Sequence, residues 1–167
     1  LKKEPDELYI QVFLGNVYCE IGEEEKAKAR YLDVEKNYPE NPYLPGALAA
    51  YYGKHEGDTA KAAGYVWQII ESESQTLDYK QEVLKEPWIG EDEIGRALES
   101  IARQYPQEEK ALVPLERYYK FYNRAEETRA LAQRIVEINP NNKDAWMDLM
   151  WTTLMDSTAG FAKSDSI

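Results

Sequence analysis

Residues Leu8 to Asn41 read LYIQVFLGNVYCEIGEEEKAKARYLDVEKNYPEN, and this stretch decides the fold. Its second half, EEEKAKARYLDVEKNY, carries apolar residues at three- and four-residue spacing, the period of an amphipathic helix. Pro39 ends that helix, because its ring cannot continue the hydrogen-bond ladder and pushes the preceding residue out of the α region. The stop recurs along the chain. Pro106 and Pro140 stand 34 apart, and Pro39 and Pro106 stand 67 apart, one short of twice 34. A recurrence of about 34 residues is the signature of a helix–turn–helix solenoid. Repeats of this kind are binding scaffolds more often than catalysts.

Position by position, the stretch resembles the tetratricopeptide repeat (TPR). That family favours Leu-Gly at places seven and eight and Tyr at eleven. Gly follows near fifteen, a small residue at twenty, an aromatic at twenty-four, a small or apolar residue at twenty-seven and Pro at thirty-two. Counted from Leu8, these places hold Leu14-Gly15, Tyr18, Gly22, Ala27, Tyr31, Val34 and Pro39. Counted from Glu109, the fourth place holds Leu112, and Leu115, Tyr119, Asn123, Thr128, Ala132, Ile135 and Pro140 follow more loosely. A count from Lys143 puts Trp146 at four and Leu149 at seven. Gly57, Ala62, Val66 and Ile69 fit a second repeat whose first helix, around Leu44 to Lys54, has an ambiguous register. A third unit matches through Leu98, Ile101 and Pro106 alone.

The resemblance implies an all-α fold, a right-handed superhelical α-solenoid of antiparallel helix pairs. It makes residues 1–167 a single domain of four to five repeats, at 8–41, 42–73, 74–108, 109–142 and 143–167. The third is degenerate, and the last is partial or capping.

Physical chemistry supplies its own reasons for the pattern. Gly15, Ala27 and Ala62 let paired helices approach, and Tyr18, Tyr31, Tyr52 and Tyr119 fill the remaining space. Gly22, Gly57 and Asn123 stand where a first helix must stop, and Gly or Asn tolerates the left-handed conformation of a C-terminal cap. No segment alternates with period two for long enough to argue for a strand.

Composition bounds the function. At 167 residues and 43% hydrophobic, the chain can bury a continuous core. Its 13 tyrosines suit inter-helix gaps with the hydroxyl reaching water. A net charge of −11 argues against nucleic acid or anionic membrane as a partner and suits a basic one. No apolar run is long enough to span a membrane. The first residue is Leu1 rather than Met, which points to a processed product or a fragment of something longer, without any signal peptide. A compartment is not specified beyond a soluble, cytoplasmic or periplasmic setting. The lone Cys19 cannot form an internal disulfide, and no Asn-X-Ser/Thr sequon is present.

Catalytic chemistry finds little to work with. His55 sits in H-E-G-D beside a helix-ending glycine and reads as a solvated turn. Cys19 reads as a small packing residue. No phosphate loop, zinc spacing or calcium loop occurs. The acids Glu91-Asp92-Glu93 start a helix and complement its dipole. The expectation is a non-enzyme without cofactor or metal.

The surface left for function is the inner face of the array. In the family, places two, five, nine, twelve and thirteen face the ligand. The resemblance therefore implies a concave groove of Tyr9, Val12, Asn16, Cys19 and Glu20 in the first repeat. Lys110, Val113, Arg117, Lys120 and Phe121 take those places in the unit from Glu109, and Asp144, Met147, Trp151, Leu154 and Met155 in the last. A subclass of the family clamps the C-terminal carboxylate of chaperone tails with a Lys and Asn pair. Asn16 holds the Asn place, but Val12 stands where that Lys belongs, so the clamp is incomplete.

The expected function is a protein-interaction scaffold with a peptide or protein in the groove. Lys110, Val113, Arg117, Lys120 and Phe121 fall within roughly 100° of helical arc, and three cations beside an aromatic suit an acidic peptide. The bland reading of that face is a solvated surface neutralised by Glu109 and Glu116. The alternative function is a structural or assembly subunit associating through convex faces or ends.

Two local expectations complete the reading. Thr76 to Lys85 forms a helix with Leu77, Val83 and Leu84 as apolar contacts, and Glu86-Pro87 breaks it. Trp88 is then either an exposed contact at a loop tip or folds back into the gap left by a short first helix. The helix from Lys143 to Met155 carries apolar residues over roughly 240° of its circumference. Its cover is a folded-back tail from Ser157 to Ile167, a further repeat, or a second copy of the chain. The expectation is that the chain self-associates as a homo-oligomer through this end, by Met147, Trp151, Leu154 and Met155, or is continued there in a longer protein, with Trp151 and Met155 at the contact.

Overall fold

The computed structural model describes residues 5–164. Among these residues the chain forms nine α-helices and no strand. They are α1 (Pro5–Glu20), α2 (Glu24–Asn37), α3 (Leu44–Tyr51), α4 (Thr59–Glu71), α5 (Leu77–Glu82), α6 (Glu91–Gln104), α7 (Glu109–Phe121), α8 (Ala125–Ile138) and α9 (Lys143–Ser164). A π-turn, Tyr52–Glu56, prolongs α3, and a 3₁₀ turn, Val83–Lys85, prolongs α5. Neighbouring helices pack together: α1 on α2, α3 on α4, α7 on α8 and α8 on α9. The chain divides into two compact units, one up to Ala97 and one from Leu98.

The stops act where local chemistry places them. α2, α6 and α8 end at Asn37, Gln104 and Ile138, and in each case the proline stands two residues further on. Among the described residues, positive φ occurs at Gly22 (76°), Gly57 (67°) and Asn123 (56°). They lie in the turns α1–α2, α3–α4 and α7–α8. After Gly22, the Glu23 amide donates to the Tyr18 carbonyl at 2.8 Å, and after Asn123 the Arg124 amide donates to Tyr119 at 2.8 Å. Both bonds satisfy carbonyls that a helix end leaves orphaned. After Gly57 the corresponding bond runs one residue further, from Asp58 to Tyr52 at 2.9 Å, because the π-turn has widened the last coil.

In the first unit, Gly15 sets the spacing of α1 and α2. A Cβ at this position would lie 2.3 Å from Cε1 of Tyr31. The Tyr31 ring fills the space that the missing side chain leaves, and it is 2% exposed. Val12, Ala27, Val34, Leu48 and Tyr52 continue the same core. In the second unit the core runs through Ile101, Leu112, Leu115, Ala132 and Ile135.

The segment after α4 follows its expected course, with an addition. Thr76 caps α5, its hydroxyl accepting from the Tyr79 amide at 3.2 Å. Leu84 is buried, whereas Leu77 and Val83 are half-buried. The most enclosed side chain of this helix is Lys80, at 1% exposure. Trp88 packs back: a Cβ on Gly53 would lie 2.3 Å from its indole ring. The exposed-contact reading of Trp88 is therefore corrected, since its ring covers the π-turn and is largely withdrawn from water.

The folded-back tail is corrected as well, as far as Ser164. α9 continues as one helix of 22 residues through that point. At 1.5 Å per residue it is about 33 Å long against about 21 Å for α8, so α8 cannot cover its whole length. The rest of the predicted tail, residues 165–167, lies outside the described residues.

The packing at Gly15 yields a paired test. Gly15→Ala forces the methyl against the buried Tyr31 ring and should cost about 1–3 kcal/mol. Gly64→Ala, in mid-α4 with nothing within 4 Å of the added atom, should instead gain about 0.5–1 kcal/mol from helix propensity. Urea titrations of both variants check the sign of each.

Candidate functional site

All five first-repeat groove residues come together. Tyr9, Val12, Asn16, Cys19 and Glu20 line one groove of about 720 Å³ in the first unit. Their spacing of three and four residues keeps them on one face of α1. The opposite wall is α3, whose register the sequence left ambiguous. Tyr43, Ala47, Ala50 and Lys54 face the groove, while Leu44, Leu48 and Tyr52 enter the core. Gly46, Ala47 and Ala50 are small, and this creates the hollow between α1 and α3. Ser74, Gln75 and Tyr79 close the far side.

The rim is aromatic and the interior carries a few directed polar groups. Tyr9 and Tyr43 meet edge to face with centroids 5.4 Å apart, and Tyr9 stacks on Phe13 at 5.6 Å. Tyr9 is 46% exposed and Val12 2%, so the first offers a surface and the second a floor. The Tyr31 hydroxyl donates to Asn16 Oδ1 at 2.6 Å, which fixes the amide and leaves its N–H groups for another acceptor. Gln75 Nε2 is held by the Pro42 carbonyl at 2.7 Å. The basic side chains near the mouth have partners within the protein. His55 Nδ1 meets Glu24 at 2.8 Å and Lys54 meets Glu86 at 2.9 Å. The groove thus presents aromatic surface and amide groups, with Glu20 as an acidic member of its lining.

Cys19 and His55 both line this groove. Sulfur's hydrogen-bond partner is the Tyr31 hydroxyl, at 3.7 Å, and the imidazole is engaged by Glu24 and stacked on Tyr51. Burial, above all, pushes the Cys19 thiol above its ordinary range. A thiolate activated by an imidazole is thus not assembled here. Among the described residues no group of three or more His, Cys, Asp or Glu is placed to hold a metal ion.

The second predicted face is reorganised by a buried acid. Val113, Arg117 and Lys120 line a cavity of about 140 Å³ in the second unit, together with Asp144 and Met147 of the last predicted set. Lys110 and Phe121 lie outside it, and Phe121 is 75% exposed. The expected neutralisation by Glu109 and Glu116 is corrected. Glu109 accepts from Asn139 at 2.8 Å and Asn142 at 2.7 Å, which ties α7 to the α8–α9 turn. Glu116 is 5% exposed and lines the cavity beside Asp148, itself 8% exposed. Lys120 is paired by Asp148 instead. The hint in the sequence was the place of Glu116, which is the eighth of its repeat, where the first repeat has Gly15.

Of the remaining predicted residues, Trp151 and Met155 border a depression of about 330 Å³ with Asn123, Thr128 and Thr152. Leu154 is 55% exposed on the open side of α9, and Met147, Met150 and Trp151 are each more than 60% exposed. No protein-family model matches this chain, and no curated protein matches it at a significant level.

Burial and the neighbouring Asp148 raise the Glu116 carboxyl to about 7. An unfolded glutamate holds its proton only to about 4.3. Between these values the folded chain binds the extra proton, so this stabilising contribution is full below the lower value and is lost as pH rises to the upper one. Glu116→Gln is neutral throughout. Its stability relative to the parent should therefore increase by about 1–3 kcal/mol between pH 5 and pH 8. Thermal melts of both proteins across that range measure the difference, and a pH-independent difference counts against the account.

Proposed function

We propose that this chain is a TPR-type helical-repeat scaffold that binds a peptide or protein segment in the groove of its first unit. The observation that carries the reading is the convergence of Tyr9, Val12, Asn16, Cys19 and Glu20 on one groove with α3. The prolines two residues beyond α2, α6 and α8, the left-handed caps, and the Gly15–Tyr31 approach support the repeat assignment. A right-handed superhelix goes with it. The groove's exposed tyrosines supply contact area at low entropic cost, and Asn16 supplies a donor for a peptide carbonyl. The role requires no cofactor, metal or catalytic residue.

Selection from a random-peptide display library, with the purified chain as bait, tests this. Enriched peptides should lose at least tenfold in affinity on Ala50→Trp, which fills the hollow from the α3 side. Tyr9→Ala should weaken them about fivefold or more, the loss of an aromatic anchor. No enrichment, or enrichment indifferent to Ala50→Trp, overturns the reading.

The second reading is an assembly role through the end of the chain. It rests on Trp146, Met147, Met150, Trp151, Leu154 and Met155, all exposed along one helix. An apolar surface of this extent marks an interface. Sedimentation velocity should show the parent self-associating with rising concentration, and Trp151→Glu should return it to a monomer. A parent that stays monomeric at high concentration removes this reading.

A further inference from the structure

The groove of the first unit has two unlike ends. At one end Tyr9 of α1 meets Tyr43 edge to face, with 5.4 Å between ring centroids. At the other, Glu20, the last residue of α1, lines the groove together with Lys54 and His55 of the π-turn. The charges at this second end do not balance. Lys54 is engaged by Glu86 and His55 by Glu24. Glu20 is exposed, and its carboxylate has no ion pair or hydrogen bond among the described residues. The Tyr51 hydroxyl, in the same lining, is raised above its ordinary range by burial first and then by Glu56, Glu25 and Glu24. Lys28 offsets Glu56, but the balance at this end stays acidic. Acids that oppose a phenolate at that point favour a cation there.

Between the ends, the walls offer hydrogen bonds to an extended backbone. Asn16 Oδ1 accepts from the Tyr31 hydroxyl, and the amide keeps its N–H groups. Gln75, on the far side, gives Nε2 to the Pro42 carbonyl and keeps Oε1. One donor and one acceptor suit the C=O and N–H of an extended peptide, groups that a helical ligand would already have paired internally. At 1.5 Å per residue, Asn16 stands about 10 Å and Glu20 about 16 Å along α1 from Tyr9. The longer distance is the span of about five extended residues.

We propose that the groove takes an extended basic peptide segment, with an apolar or aromatic side chain against Tyr9 and Tyr43 and an arginine or lysine at Glu20, about five residues apart. The assignment rests on a peptide-binding role for this groove and adds the chemistry of the ligand. A cation at Glu20 displaces no internal partner, whereas an acidic side chain there would meet like charge. The net charge of −11 favours encounter with a basic segment over an acidic one.

A phage-displayed library of random twelve-residue peptides, panned in parallel on the parent chain and on Glu20→Lys, tests the proposal. A lysine at the last residue of α1 suits the helix dipole, so this variant carries little risk to folding. Peptides recovered on the parent should hold Arg or Lys at one fixed place, about four to six residues from a Tyr, Trp, Phe or Leu. Glu20→Lys should instead recover Asp or Glu at that place. Changing the basic residue of a synthetic parent-selected peptide to Gln should weaken binding to the parent about threefold or more. The same change should leave binding to Glu20→Gln unaltered. The proposal is overturned, with the groove still standing, by peptides that are lost on Ala50→Trp yet show no basic residue at a fixed spacing. Peptides whose affinity is indifferent to Glu20→Gln overturn it in the same way, as does selection of acidic peptides by the parent. No enrichment at all, or peptides indifferent to Ala50→Trp, overturns both the proposal and the groove on which it rests.

Discussion

The contact between Gly15 and Tyr31 sets the geometry on which the first unit depends. The tyrosine ring occupies the volume of a side chain that α1 does not have, so α2 can lie against α1 with no cavity between them. From that position the Tyr31 hydroxyl reaches through to the groove, where it fixes Asn16 and holds the Cys19 thiol. The core contact and the groove contact are two ends of one side chain. Burial drives the Tyr31 hydroxyl far above its normal ionisation range, so it remains a neutral donor under all physiological conditions.

The second unit solves the same packing problem with the sizes exchanged. Glu116 stands at the place of Gly15, and Ala132 stands at the place of Tyr31. The small residue is now on the second helix of the pair, and an ionisable group is inside. That group needs a proton, a donor or a cation, and Asp148 and Lys120 are arranged around it for that reason. The cationic face that helical arithmetic drew on α7 consequently becomes a mixed cavity with an acidic surplus.

What the sequence made legible was local. The three prolines and the three left-handed caps depend on the residue and its immediate neighbours, and each acts where its backbone chemistry requires. The five groove residues of α1 were legible because the register of that helix is anchored by Leu14-Gly15 and Tyr18. The groove face of α3 was not, because Leu44 to Tyr52 is apolar on nearly every side and offers no period to read. The π-turn at Tyr52–Glu56 adds a residue to the coil, which no spacing rule anticipates. Burial of Glu116 and Lys80 depends on which helix lies opposite, a tertiary fact that charge and hydropathy at those positions contradict.

Polar satisfaction differs from place to place in the core. Tyr65 donates to Glu35 at 3.0 Å and Tyr119 to Glu99 at 2.8 Å, so most of the large core rings keep a partner for the hydroxyl. Two buried groups do not: the Tyr52 hydroxyl and the Trp88 indole nitrogen. They belong to the same place in the fold, where Trp88 packs on Gly53 at the head of the π-turn. Lys61 lies over the Tyr52 ring at 3.9 Å, an interaction with its face that leaves the hydroxyl unserved. At Trp88 the segment after α5 meets the π-turn by shape and apolar burial. Apolar contact is non-directional, and this permits an irregular segment to close the far side of the groove. The same segment brings Gln75 and Tyr79 to the groove, so an irregular stretch supplies part of its surface.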